Sequence, residues 1–193
     1  MGVVLCGGKS TRMGTDKGLI KTESTTWAQL ANEKLSVLGI PVGVSINREQ
    51  YEDYQALFPS SKLILDNEGM HVKGPLLGIV SAHCINPHED LLVLASDMPL
   101  INHSLLQKLV KSYQENSVKD AFVYVVAGEV EPLCGIYTAR CLSRILNLYQ
   151  ADKLSNYSMK FILEKLSLSR IEVEESKRSY FSNINTKTEL QRL

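Results

Sequence analysis

An α/β fold with a mostly parallel sheet, in a three-layer Rossmann-like arrangement, is what this sequence predicts. Three observations carry that expectation. Apolar runs of strand length alternate with stretches of helical periodicity, roughly 10–15 residues each, the pattern of βαβ units. The run Leu91-Leu92-Val93-Leu94-Ala95 contains no polar residue, as a strand buried on both faces of a parallel sheet requires. The first apolar run, Val3-Val4-Leu5, breaks into Gly7-Gly8 and a basic loop, at the strand end where open α/β sheets meet their ligands.

Taken in order, Val3-Val4-Leu5 is the first strand, and it begins so near Met1 that a start a few residues upstream is expected. Residues 22–26 are polar. Trp27, Leu30, Ala31, Leu35 and Leu38 then recur at helical spacing, and Gly39 and Pro41 close that helix. Val42-Gly43-Val44-Ser45-Ile46 is the second strand and Lys62-Leu63-Ile64-Leu65 the third, ending at Asp66. Gly74-Pro75 opens a helix over residues 76–82. After the all-apolar strand, Asn102 caps a helix marked by Leu105, Leu106, Leu109, Val110 and Tyr113. Strands are expected over 121–126 and 133–137, helices over 139–149 and 158–166, and a last strand over 169–173. Residues 174–179 read as a surface loop and 186–193 as a final helix. With no repeat, low-complexity tract or linker, a single domain over residues 1–193 is expected.

Composition removes several function classes. Lys plus Arg, 21, balances Asp plus Glu, 21, which excludes binding to nucleic acid through bulk positive charge. No apolar run approaches the roughly 20 residues of a membrane span, and the N-terminus lacks a signal peptide, so a cytoplasmic address is expected. Cys6, Cys84, Cys134 and Cys141 form no CxxC or Cys/His knuckle; they are expected to be small buried hydrophobes rather than a zinc site or disulfide framework. The four histidines are equally scattered.

The residues after each strand hold the chemistry. After the first stands Cys6-Gly7-Gly8-Lys9-Ser10-Thr11-Arg12-Met13-Gly14-Thr15-Asp16-Lys17; after the third, Asp66; after the all-apolar strand, Ser96-Asp97-Met98-Pro99. Glycines, an Arg, a Lys and two carboxylates converging on one crevice suit a nucleoside triphosphate with a divalent metal. The Walker A spacing fails here, and so does GxGxxG. What remains is a loop whose glycines let backbone N–H groups approach phosphate while Arg12 and Lys17 supply positive charge.

That loop, L-C-G-G-K-S-T-R-M-G-T-D-K, resembles the opening of the nucleotidyltransferases related to molybdenum cofactor guanylyltransferase, with Cys6 where that family usually has Ala. The resemblance continues through Ile46-Asn47-Arg48, Leu65-Asp66, Gly74-Pro75-Leu76-Leu77-Gly78-Ile79 and Asp97-Met98-Pro99, and ends in Phe181-Ser182-Asn183-Ile184-Asn185-Thr186. It implies a nucleotidyltransferase fold and transfer of GMP from GTP to the terminal phosphate of molybdopterin, releasing pyrophosphate. By the same analogy Leu5, Cys6, Gly7 and Gly8 contact the nucleoside, Lys17 neutralises the phosphates, Asp66 helps hold the nucleoside, and Asp97 holds Mg²⁺. Arg12, Lys17 and Asp97 are the expected catalytic groups. Asn183 or Asn185 adds a contact to metal or pterin phosphate, and the sequence does not separate the two. Expected partners are GTP and molybdopterin, with molybdoenzymes or cofactor-delivery proteins beyond them, and neither nucleic acid nor membrane.

Two departures bear on the substrate. Ser45 stands where relatives often carry Asn, and Glu131-Pro132-Leu133-Cys134-Gly135 stands where the guanylyl branch tends to show His-Pro. A cytidylyltransferase, a sugar- or polyol-phosphate nucleotidyltransferase and a non-catalytic nucleotide-binding partner therefore stay open as alternatives. Asp97 before Pro99 also reads as a turn residue, Asp66 as an ordinary turn, and Asn183 and Asn185 as caps of the final helix. Arg140, Arg144 and Lys160 read equally as contacts to a pterin phosphate and as a solvated helix face.

Overall fold

The structure, a computed structural model, describes residues 1–7, 16–22, 24–116 and 118–182. Chain order runs β1 (Gly2–Leu5), two short strands β2 (Lys21–Thr22) and β3 (Thr25–Thr26), α1 (Trp27–Ser36), β4 (Val42–Ile46) and α2 (Tyr51–Gln55). There follow β5 (Leu63–Leu65), α3 (Pro75–Ile85), β6 (Leu91–Ala95), α4 (His103–Glu115), β7 (Ala121–Val126), β8 (Glu129–Tyr137), α5 (Ala139–Gln150), α6 (Met159–Glu164) and β9 (Leu168–Glu172).

The central sheet has seven strands in the order β5-β4-β1-β6-β8-β7-β9. β1 lies at its centre, parallel to β4 on one side (Val4 opposite Val44) and to β6 on the other (Val4 opposite Leu94). Strand order reverses at β1 and β6, the switch point where a crevice opens in doubly wound sheets. β8 runs antiparallel to both neighbours, β6 and β7, and β9 is parallel to β7.

β1 and β6 at the centre of the parallel half are buried on both faces, which explains their unbroken apolar runs, whereas the edge strand β5 leaves Leu65 exposed. Val4, Val44 and Leu94 pack against α1, α2 and α4 through Leu35, Tyr54 and Leu106. Val3, Leu5 and Val93 pack on the other face against Leu76, Ile79, Leu142 and Ile162 of α3, α5 and α6. These two cores give the three layers that the sequence predicts.

Caps set the helix starts. Thr26 and Gln29 form a capping box at α1, and the Asn102 side chain accepts from the Leu105 N–H at α4. Gly39 ends the first helical segment at φ +72°, a left-handed conformation that glycine adopts without strain.

Several elements differ from the sequence expectation. The polar stretch 22–26 contains most of a two-stranded ladder, β2 with β3, and the Trp27 indole N–H is anchored on Thr22 Oγ1 at 2.9 Å. β8 begins at Glu129, earlier than the expected 133, because Ala127 and Gly128 both take positive φ and close a tight hairpin with β7. Residues 174–179 belong largely to a 3₁₀ helix, Glu175–Phe181, drawn in by the buried Phe181 ring against Tyr124. Cys6, Cys134 and Cys141 are buried as expected, whereas Cys84 is exposed on α3. The expected helix over 186–193 lies outside the described residues.

Candidate active site

At the carboxyl ends of β1 and β6 a cleft of about 220 Å³ is lined by Leu5, Cys6, Gly7, Lys17, Gly74, Pro75, Ala95, Ser96, Asp97 and Leu133. It brings together stretches that are far apart in the chain, with Lys17 contributed by the loop after β1. β1 delivers Cys6 and Gly7, β6 delivers Ser96 and Asp97, α3 enters at Gly74-Pro75, and β8 contributes Leu133.

Lys17 and Asp97 meet across this cleft, with Nζ 3.0 Å from Oδ2 and the two side chains only 19% and 24% exposed. The carboxylate stands in a turn directly after β6, where the Met98 N–H bonds the Ala95 carbonyl. Behind the turn, the Lys34 ammonium on α1 donates to the Pro99 carbonyl, and burial lowers Lys34 to about 8. Lys17 sits in a short 3₁₀ turn, Lys17–Leu19, capped by Asp16, whose Oδ1 accepts from the Gly18 N–H at 2.8 Å.

Asp66 closes the β4 side. Ser45 Oγ donates to its Oδ1 at 3.3 Å, and a Cβ added at Gly7 would lie 3.2 Å from its Oδ2. Burial pushes the Asp66 carboxyl up to about 6, only partly offset by the Ser45 hydrogen bond. Gly78 on α3 lets the helix approach this pair, since a Cβ there would stand 2.5 Å from Ser45 Oγ. Burial also pushes the Cys6 thiol up to about 12, which leaves it protonated and unreactive at neutral pH.

The far wall is built differently. Register slips between Val123 and Tyr124, so Gly135 faces Val123 but Glu131 faces Tyr124, and the intervening residues of β8 bulge out. Glu131 Oε1 accepts from the Leu133 N–H at 2.9 Å, and the buried Tyr137 hydroxyl donates to the Pro132 carbonyl at 2.7 Å. Burial raises the Glu131 carboxyl and the nearby Asp97 charge raises it further, against the lowering effect of the Leu133 hydrogen bond.

Of the residues expected from sequence, Leu5, Cys6, Gly7, Lys17 and Asp97 line the cleft, and Asp66 stands beside Gly7. Gly8, Arg12, Asn183 and Asn185 lie outside the described residues. Arg140 and Arg144 are turned away: both pair with the buried Asp120, at 3.4 and 2.9 Å, so the helix face and not the pterin phosphate accounts for them. Lys160 pairs with Glu129 at 2.6 Å. Sequence reasoning missed Gln50 and Tyr54, and it read Glu131 only as part of a departure from the family pattern. For Gln50 a signal was present, the Asn47-x-x-Gln50 spacing of a capping box, which the structure forms. Among the described residues no group of three His, Cys, Asp or Glu side chains gathers to hold a metal.

Comparison with known proteins gives this geometry a context. A family model for the MobA-like NTP transferase domain matches residues 2–169. The chain is 31% identical to a probable molybdenum cofactor guanylyltransferase of Flavobacterium johnsoniae, over 98% of this chain and 94% of that protein. It is 28% identical to a probable molybdenum cofactor guanylyltransferase of Methanocaldococcus jannaschii, over 98% and 95%. A crystal structure of molybdopterin-guanine dinucleotide biosynthesis protein A from Archaeoglobus fulgidus superposes with a TM-score of 0.78, covering 100% of this chain and 96% of that one, at 24% identity. A synthetase of CMP-activated 2-keto-3-deoxy-manno-octonic acid, solved with CTP, shares the fold at a TM-score of 0.74 and 14% identity.

Proposed function

This chain belongs to the MobA-like NTP transferase family, and on that premise we propose that it transfers GMP from GTP to the phosphate of molybdopterin, releasing pyrophosphate, within a single nucleotidyltransferase domain. The observation that carries the reading is the Lys17–Asp97 pair, 3.0 Å apart in a cleft at the switch point of the sheet. Relatives named molybdenum cofactor guanylyltransferase that align along nearly the whole chain support the substrates.

The reaction brings two anions together, so alignment and charge neutralisation supply most of the catalysis. Leu5, Cys6 and Gly7 offer backbone groups to the nucleoside at the end of β1, and Asp66 accepts a hydrogen bond from it. Lys17 neutralises the triphosphate, and Arg12 adds charge on the leaving pyrophosphate. The attacking phosphate is ionised at neutral pH, so no general base is needed.

Asp97 is the residue that would hold Mg²⁺. Its carboxylate already faces a cation in the cleft, and a single carboxylate suits an ion that keeps several waters and takes further ligands from substrate phosphates. When bound, such an ion withdraws charge from phosphate oxygens. Asn183 or Asn185 would add a contact to ion or acceptor.

A thermal-shift panel of GTP, CTP, ATP and UTP, each with and without Mg²⁺, tests the donor; incubation with GTP and molybdopterin, read as pyrophosphate release, tests the transfer. GTP at about 100 times its dissociation constant should stabilise the protein by roughly 2.7 kcal/mol. Stabilisation by CTP alone would replace the guanylyl reading with a cytidylyl one, and no stabilisation by any nucleotide would remove the enzymatic reading.

A further inference from the structure

We infer that Gln50 is a positioning residue that ties together the two ends of the glycine loop and thereby fixes where Lys17 stands. The inference deepens the function proposed above and rests on it for the identity of the nucleotide. Gln50 ends the 3₁₀ turn Arg48–Gln50 that follows β4. Its Oε1 accepts from the Asn47 N–H at 2.9 Å, which orients the amide so that Nε2 points at the loop. Nε2 then donates to two acceptors, the Cys6 carbonyl at 3.0 Å and the Asp16 carboxylate.

Those two acceptors stand at opposite ends of the loop. Cys6 is the first residue after β1, and Asp16 immediately precedes Lys17. The other Asp16 oxygen accepts from the Gly18 N–H at 2.8 Å and from the Tyr54 hydroxyl at 3.2 Å. Gly18 leaves no slack, for a Cβ there would lie 2.1 Å from Tyr54 Oη. Cys6, Gln50, Asp16 and the turn that carries Lys17 thus form one continuous hydrogen-bonded neck.

A neck closed before ligand arrives holds Lys17 in place and so lowers the ordering cost of binding an anion beside it. Tyr54 supports the same neck through its hydroxyl, which bonds Asp16 and meets the Cys6 thiol, while Gln50 joins the Cys6 backbone carbonyl to the Asp16 carboxylate through one amide. An amide is needed there: it presents two N–H donors to two acceptors and an oxygen to Asn47, which neither Glu nor Lys offers.

The test measures Mg·GTP binding by calorimetry, well below the melting point, for wild type, Gln50→Met, Gln50→Glu and the double variant Asp16→Asn/Gln50→Glu. Amide hydrogen exchange at Gly18 is followed in the nucleotide-free proteins. Gln50→Met should weaken GTP on the order of tenfold, the scale of hydrogen bonds to a charged group, and speed exchange at Gly18. A role in stability alone would lower the melting temperature without moving the dissociation constant. The double variant restores an amide–carboxylate pair between positions 16 and 50 at unchanged net charge, so it should recover part of the affinity lost in Gln50→Glu. GTP binding by Gln50→Met within twofold of wild type, or a double variant no better than Gln50→Glu, overturns the inference. If the wild type binds no nucleotide, the functional proposal fails and Gly18 exchange decides alone: faster exchange in Gln50→Met upholds the neck, unchanged exchange overturns it.

Discussion

The two walls of the cleft are built by opposite means. On one side the parallel strands β1, β4, β5 and β6 all end at the cleft, and the chain leaves them in loops that carry Gly7, Asp66 and Asp97. On the other side β8 runs antiparallel, so its early residues pass through the cleft edge in mid-strand, held by ladder bonds, a bulge and the Tyr137–Pro132 hydrogen bond. The parallel wall can present charged groups because a strand end frees backbone and side chain together. The antiparallel wall presents a fixed shape, Leu133 on a buckled backbone. With the function proposed above, this difference leads us to expect chemistry from the first wall and acceptor fit from the second.

The largest expected effect tests the first wall. Asp97→Asn and Lys17→Ala should each lower the rate of GMP transfer by roughly 10²–10³-fold, the scale of one lost transition-state charge contact. Full transfer activity in either variant would falsify the assignment of chemistry to the parallel wall.

Next comes Gly78→Ala. Its Cβ would stand 2.5 Å from Ser45 Oγ, forcing α3 off the sheet beneath the Ser45–Asp66 pair. A loss of about 1–3 kcal/mol in chemical denaturation is expected, with weaker GTP binding. Unchanged stability would mean the helix approach is looser than the geometry indicates.

A smaller effect follows from Asp66, raised by burial to about 6. With the folded value above the unfolded one, the native state holds this proton more tightly, so the group's contribution to stability is complete below about pH 4 and is lost as pH rises through about 6. Asp66→Asn should therefore be more stable than wild type at pH 8, with the difference closing at pH 4. GTP binding should run the other way, falling in wild type as pH drops below about 6 and staying flat in Asp66→Asn. Parallel pH profiles for the two proteins would remove Asp66 from the nucleoside contact.

The smallest effect sharpens the contrast from the second wall. Tyr137→Phe leaves the Pro132 carbonyl without its partner and should cost about 0.5–1.5 kcal/mol of stability. It should raise the KM for molybdopterin while leaving that for GTP unchanged. An equal change in both would merge the two walls into one binding surface.

The same division decides what was legible in the sequence. The parallel half is announced by its central strands β1 and β6, apolar from end to end because both faces are covered, and by the glycines and charges that follow a strand end. Lys17, Asp66 and Asp97 fall into place on that rule alone. The antiparallel half is harder to read. Pro132 interrupts the apolar pattern of β8 and reads as a strand limit, since proline cannot donate to a ladder, whereas the bulge accommodates it. Arg140 and Arg144 looked available to an anion because their shared partner, Asp120, is brought to them only by tertiary packing. Gln50 escaped because a lone amide carries no motif beyond its capping box.

The central place of β1 in the sheet exposes it during synthesis. Its four residues leave the ribosome well ahead of one neighbour, Leu91–Ala95, which lies about 90 positions later in the chain. At roughly 5–20 residues per second, that partner emerges some 5–18 seconds after β1 does. Throughout that interval a strand apolar on both faces has an open edge. A nascent chain stalled before Leu91 would be a template for aggregation, and chaperone dependence should end once β6 has cleared the exit tunnel.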